Sequence, residues 1–421
     1  MDVGVKKAML GRFGFNIEQG EEEIKSILRL DSSEDSVEYI DDSLGFQSVC
    51  YRVRGARWGN GAFVKSLPPW DMQTILSKIK DEDFKSRVDE AKRNGLNDEE
   101  AKAWLQDMDD EHAHLLTFEE QHVQMIRERT VLRVLNKTYY KLPESSVLVV
   151  PKLFDNAVGT DHKHTNIEEQ TPTTLVCEDL TAIGFKPQKF DEPISDDDFS
   201  IVATALADFH GLLWNCRDQL GFETQKAALL LGKDIDKSRA FYKSLITETI
   251  NRFSPEVKEF AVPHVDDICD GYADNGLTPI MMVHGDPWAQ NVMLRRDATG
   301  KINGVAFVDL GNVRAGHPVQ DFCCFITTMV EKIQKVWSVV IDQYMKRLMV
   351  HCPEQQNEIS NMFNTRDKRH GFASSLVYFN SEEPTDRQLS AFGRARHSAM
   401  CYKDEMNESE TAIIQEIRKR K

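Results

Sequence analysis

The sequence predicts an α+β protein in two lobes, a small one built on an antiparallel sheet and a larger, mainly helical one. Three observations carry that expectation. The chain has 421 residues, more than one hydrophobic core normally serves. After Gly45 the pattern turns to strict alternation, with Val49, Tyr51 and Val53 interleaved with Cys50, Arg52 and Arg54. The second half instead repeats its apolar residues at helical spacing. The lobes are set at 1–178 and 179–421.

Residues 1–40 mix short apolar clusters with acidic runs and read as helix plus loop. The alternating stretch, the turn GARWGNG and the stretch AFVKSL then form an antiparallel hairpin, ended by Pro68-Pro69. Residues 71–118 are charged throughout and read as a solvated helical insertion. The segment 119–137 puts Val123, Ile126, Val131 and Leu135 at helical spacing. VLVVPKLF reads as a strand stopped by Pro151, and TTLVCEDL as another. SDDDFSIVATALADFHGLLW opens on acids that suit a helix N-terminus, and Ile201, Ala205, Leu206, Phe209, Leu212 and Leu213 follow as its buried stripe. His210 beside that stripe is read as a packing histidine. More amphipathic helices follow residue 320.

Bulk properties exclude several classes. The net charge of -16 argues against nucleic-acid binding, which needs a basic footprint. No run of about 20 apolar residues appears, so no membrane span is expected. The start lacks an apolar core long enough for a secretory signal. Eight scattered cysteines without a CxxC pair fit reduced thiols, hence a cytoplasmic protein.

The segment HGDPWAQNVML, 284–294, carries the chemistry. NVMLRR (291–296) and GVAFVDL (304–310) are β-favouring runs joined by a turn-rich DATGKIN. Paired as a hairpin, they bring Asn291 and Asp309 to one end, with Asp286 in the loop before them. Cross-strand neighbours sit roughly 5 Å apart. Three oxygen-bearing side chains then converge, as phosphoryl transfer requires: an aspartate for the acceptor hydroxyl, and an asparagine and a second aspartate for magnesium. The interval from Asp286 to Asn291 equals that of the HRDxxxxN pattern.

HGDPWAQNVML followed by VAFVDLGNVRAGHPVQDF resembles the choline-kinase and aminoglycoside-phosphotransferase superfamily. The tryptophan in HGDPW and the segment GFQSVCYRV are similar to its ecdysteroid kinase-like, or CHK kinase-like, family. The resemblance covers roughly residues 40–330 of a single kinase-like domain of about 40–380. It implies a protein-kinase-like fold with ATP and Mg2+ bound between the lobes, and a small-molecule hydroxyl acceptor, steroid-like, another alcohol or choline-like. Position by position, it implies a phosphate-covering loop at Gly45, Phe46 and Ser48, and Lys65 on the α- and β-phosphates. The partner of Lys65 is Glu128, with Glu119 and Glu120 competing. Glu178 and Leu180 in LVCEDL would bind adenine through their backbone. Asp286 is the catalytic residue, Asn291 and Asp309 hold the metal, and His284 and Asp321 brace the loop. For Lys65 the residues give their own support, because it shares a strand face with Phe63 and Leu67.

The resemblance departs in two places. The nucleotide loop has one glycine instead of GxGxxG, and Gly311 stands where the family often has glutamine. A catalytically silent protein of the same fold is the main rival reading. A metal phosphoesterase would need more histidines near His284. A protein kinase would need an activation segment longer than the GNVRAGHPVQDF that follows Asp309. The acceptor, the oligomeric state and the role of 71–118 are not decided by these residues.

Overall fold

The computed structural model describes residues 17–30, 34–40, 48–67, 118–154, 174–189, 194–230, 280–329 and 337–362. Two compact units account for the chain. The first comprises 1–129 with 151–183, and the second 130–150 with 184–421. The α+β class expected from the sequence is the class found, with an antiparallel sheet in the first unit and a mainly helical second unit.

In the first unit, helix α1 (Ile17–Leu28) is followed by strands β1 (Ser36–Tyr39), β2 (Val49–Arg54) and β3 (Ala62–Ser66). Helix α2 (Phe118–Thr138) begins here and runs into the second unit, and β4 (Thr174–Glu178) completes the sheet. The strands pair antiparallel in the order β1-β2-β3-β4. Two-residue periodicity gives this sheet two different faces. One carries Val49, Tyr51, Val53, Ala62, Val64 and Val176, which pack with Ile24, Ile27 and Leu28 of α1 into one apolar core. Each valine, isoleucine or leucine among them contributes roughly 1.5–3 kcal/mol by leaving water. The other face carries the register rows Cys50, Lys65, Leu175 and Arg52, Phe63, Cys177.

The second unit contains β5 (Lys186–Pro187), α3 (Asp196–Asn215), α4 (Phe222–Leu230), β6 (Met281–Val283), β7 (Val292–Arg296), β8 (Ile302–Phe307) and β9 (Arg314–Gly316). Helices α5 (Pro318–Met329), α6 (Trp337–His351) and α7 (Gln356–Asn361) follow. Ser195 caps α3, its hydroxyl accepting the Asp198 N–H at 3.2 Å, and Asp196 to Asp198 meet the positive end of the helix dipole. Helix α3 packs along α6. There Asp208, fully buried, accepts hydrogen bonds from Arg347 Nε and Nη2, His351 Nε2 and Ser146 Oγ. No helix among the described residues is long and apolar enough to cross a membrane.

Several expectations are corrected. Helix plus loop over 1–40 misses β1, a four-residue strand too short to show its period. VLVVPKLF forms no strand: Leu148 makes a single parallel bridge to Val305, and Leu153 a single antiparallel one to Cys177. Pro151 lies between them and has no N–H for a continuous ladder. On α2, Val131 and Leu135 are buried as expected, but Val123 is 51% exposed and Ile126 only half-buried, and the buried stripe continues through Gln121, Met125, Glu128 and Leu132. That stripe includes a carboxylate, which an apolar count passes over. The second hairpin strand runs over 302–307 instead of 304–310, because Asp309 takes a left-handed conformation and Leu310 opens a 3-10 turn. Asn291 closes a 3-10 turn, Ala289–Asn291, instead of starting the strand. The insertion at 71–118, apart from Phe118 at the start of α2, lies outside the described residues, as do the Pro68-Pro69 pair, Gly45 and Phe46.

Candidate phosphoryl-transfer site

In the first unit, Lys65 Nζ donates to Glu128 Oε2 at 2.8 Å, both side chains mostly buried. Of the three competing glutamates, Glu128 therefore meets the lysine. The pair lies on the sheet face opposite the α1 core, a face that also carries the buried Cys50, Leu175 and Cys177. Cys177, two residues from Leu175 in the neighbouring row, is fully buried, and burial pushes its thiol far up, which keeps it neutral beside the ion pair. Ser48 is buried with its hydroxyl 4.0 Å from Cys50 Sγ.

After β4, Glu178 donates its backbone N–H to the Lys152 carbonyl at 2.8 Å, and Leu180 is buried at the start of a 3-10 turn. Between them Asp179, which the sequence reading passed over, fixes the segment. Its carboxylate accepts from Thr181 N–H at 3.0 Å and Thr181 Oγ1 at 2.6 Å, and lies 3.3 Å from Arg52 Nε. An Asp two residues before a Thr is the local signal for such a turn.

In the second unit, the loop between β6 and β7 brings the remaining residues together. Asn291 Nδ2 donates to the Asp286 carbonyl at 2.8 Å and to Asp286 Oδ2 at 3.3 Å. The Asn291 carbonyl accepts the Val308 N–H at 3.0 Å, one residue before Asp309. Asp309 has φ 60° and ψ 62°, a strained conformation for a residue with a side chain. Gly285, at φ 85°, admits no side chain, because a Cβ there would strike the Asn312 carbonyl and the Arg314 guanidinium.

His284 is wholly buried and both its ring nitrogens are engaged. Nδ1 accepts the Asp286 N–H at 3.2 Å, so the proton belongs on Nε2, which donates to the Val308 carbonyl at 3.0 Å. Burial lowers its pKa against the opposing charges of Asp321 and Asp309, so the ring is neutral. Asp321, in the first turn of α5, accepts the His284 N–H at 2.6 Å, the Gly285 N–H at 2.9 Å and His210 Nε2 at 2.9 Å. Burial opposes its ionisation, yet the hydrogen bond from His210, with Arg314 among the nearby charges, holds the carboxyl below the usual range. His210 was expected to be a packing residue. It is buried, and it is also a hydrogen-bonding link, since its Nδ1 lies 2.6 Å from Tyr344 Oη. A histidine inside the apolar run ALADFHGLL was the available signal.

These side chains suit a hard divalent cation. With Nδ2 of Asn291 turned to Asp286, its Oδ1 could ligate such an ion together with the carboxylate of Asp309. An amide oxygen and a carboxylate fit magnesium, which keeps waters and takes phosphate oxygens for the rest of its shell. Among the described residues no group of three or more His, Cys, Asp or Glu could hold a metal by itself.

The chain belongs to the ecdysteroid kinase-like family, whose model matches residues 139–356. No curated protein matches it in sequence. Among solved structures, the choline kinase of Cryptosporidium parvum is similar at 9% identity, covering 94% of this chain and 97% of that one, TM-score 0.48. An ethanolamine kinase of Plasmodium vivax is similar at 10% identity, covering 94% and 95%, TM-score 0.43. An ADP-bound aminoglycoside phosphotransferase is similar at 15% identity, covering 90% and 98%, TM-score 0.40.

Proposed function

We propose that the protein is an ATP-dependent small-molecule kinase that transfers the γ-phosphate to a hydroxyl group. One observation carries the reading: Asn291 is tied to Asp286, and the same residue's backbone is tied to Val308, next to Asp309. An aspartate, an amide and a second carboxylate are thus held on one loop and one hairpin end. Membership of the ecdysteroid kinase-like family supports the same chemistry.

In this reading Asp286 accepts the proton of the acceptor hydroxyl. The acceptor oxygen bonds to the γ-phosphorus as the bond to the ADP oxygen breaks, the electron pair leaving with ADP. Asn291 and Asp309 hold magnesium, whose charge offsets that of the phosphates when it is bound. Lys65, oriented by Glu128, takes the α- and β-phosphates, and the backbone of Glu178 and Leu180 takes the adenine edge. Ser48, with Gly45 and Phe46, covers the phosphates. His284 and Asp321 hold the loop in shape and transfer no proton. The acceptor is a small-molecule alcohol, with steroid-like alcohols the first class to assay because of the family.

Magnesium-dependent phosphorylation of candidate alcohols, followed by mass spectrometry, tests the reading on wild type beside Asp286→Asn. The substitution is expected to lower turnover by about 10²–10⁴-fold, the range for a positioned general base. Nucleotide binding without turnover on any alcohol would establish the silent alternative instead.

A further inference from the structure

The deepest part of the site is a chain of hydrogen bonds that ends on a tyrosine. Tyr344 of α6 is fully buried, and its hydroxyl lies 2.6 Å from His210 Nδ1. His210 Nε2 lies 2.9 Å from Asp321 Oδ2, which also accepts the His284 N–H at 2.6 Å. Asp321 Oδ1 takes the Gly285 N–H at 2.9 Å. Three helices, α6, α3 and α5, therefore lie in series behind the backbone that carries Asp286.

We propose that Tyr344 is a positioning residue for the 284–286 loop: by donating to His210 Nδ1 it anchors the imidazole ring whose Nε2–H, selected by the Asp321 carboxylate, holds Asp321 under the loop. The reasoning is a count of protons. An ionised carboxylate only accepts, so Asp321 needs a hydrogen on Nε2. A neutral imidazole with its proton on Nε2 has a lone pair on Nδ1, which the tyrosine O–H fills. The opposite tautomer would turn the Nε2 lone pair toward a carboxylate oxygen at 2.9 Å, two acceptors in contact. In a buried site such a mismatch is costly. Tyr344 is suited to the task because burial and the nearby Asp321 charge raise its pKa well above the ordinary value, so it keeps its proton. Its hydroxyl meets His210 and its ring packs on Phe322, so its effect on the reaction passes through His210 and Asp321. The catalytic consequence rests on the kinase reading, whereas the effect on loop geometry does not.

The test uses the full chain and Tyr344→Phe, which keeps the ring and removes one oxygen. Nitrogen NMR of histidine-labelled protein, with His210 assigned by its loss in His210→Gln, should show the Nε2–H tautomer in wild type. In Tyr344→Phe the tautomer should stay, because Asp321 still selects it, while the Nδ1 resonance should move as its lone pair loses the hydroxyl donor. Amide exchange of the peptide covering 284–286 should rise about tenfold, and kcat for ATP turnover should fall by a similar factor with the ATP KM within about twofold. In a His210→Gln background the tyrosine substitution should add nothing further. A His210 Nδ1 resonance unmoved in Tyr344→Phe overturns the proposal, as do additive losses. So does a wild-type His210 carrying its proton on Nδ1 or on both nitrogens, a measurement that needs no variant of Tyr344. If wild type turns over no ATP, the kinase reading fails, while the nitrogen NMR and exchange measurements still decide the role of Tyr344.

Discussion

His284 precedes Asp286 by two residues, and its side chain works as a spacer inside the protein. Its Nδ1 holds the Asp286 N–H and its Nε2 reaches the Val308 carbonyl, so one neutral ring ties the loop to the end of β8. Neutrality has a consequence for stability. Its folded pKa lies below the ordinary histidine value of about 6.5 because of burial. Below that pH the unfolded chain takes up a proton that the folded ring refuses. The unfolded state then binds more protons, and stability falls as pH falls. This contribution is whole above pH 6.5 and is lost as pH drops toward the folded value. Urea unfolding of wild type between pH 7 and pH 5 should show the decline, and His284→Gln should show a shallower one. Equal slopes for the two proteins would mean that the ring is not held neutral. Asp321 acts in a lower window: its carboxyl is depressed, so its share of stability persists above the usual carboxylate range and disappears only in stronger acid.

The elements behind the site are held by a polar seam between α3 and α6, where a buried charge has several partners. Asp208 takes two guanidinium nitrogens of Arg347, at 2.5 and 3.0 Å, plus His351 and Ser146. Burial opposes its ionisation, but the bonds from His351, Arg347 and Ser146 keep its pKa low. Replacing it by alanine strands a mostly buried guanidinium, which costs about 3 kcal/mol in comparable buried pairs. Asp208→Ala should lower the urea midpoint correspondingly, and Asp208→Ala with Arg347→Met should recover part of the loss. A midpoint unmoved by Asp208→Ala would show the seam to be idle. Sequence alone gave little sign of this seam, since Asp208 and Arg347 are 139 positions apart. What was legible were patterns with a local period: α2 over 118–138, the β2–β3 hairpin, and the hairpin beside Asn291. The Lys65–Glu128 contact was legible only through a family motif, for the helix stripe around Glu128 is not uniformly apolar. Strand β1, with four residues, and the His210–Tyr344 link, 134 positions apart, are set by tertiary contacts that no local period announces.

At the scale of the whole molecule, charge decides what a nucleotide meets. The chain carries a net charge of -16, and an adenine nucleotide is itself an anion. The general field therefore repels it, and the proposed reading asks local cations to offset that repulsion: Lys65, and a magnesium ion that Asn291 and Asp309 would hold. Nucleotide binding should accordingly depend on magnesium, and ligand-linked stabilisation measures it without knowledge of the acceptor. A ligand present at about 100 times its Kd stabilises the folded state by about 2.7 kcal/mol. Thermal unfolding of wild type should therefore shift upward by a few degrees with ADP and magnesium, and by much less with ADP and EDTA. Asp309→Asn should remove most of the difference between those two conditions. Lys65→Met should diminish the shift in both, because it removes the cation proposed to serve the nucleotide whether or not metal is present. No shift in wild type at millimolar ADP and magnesium would sink the nucleotide reading altogether. A shift insensitive to EDTA would sink only the metal assignment, leaving Lys65 and the sheet face that carries it as the nucleotide's anchor.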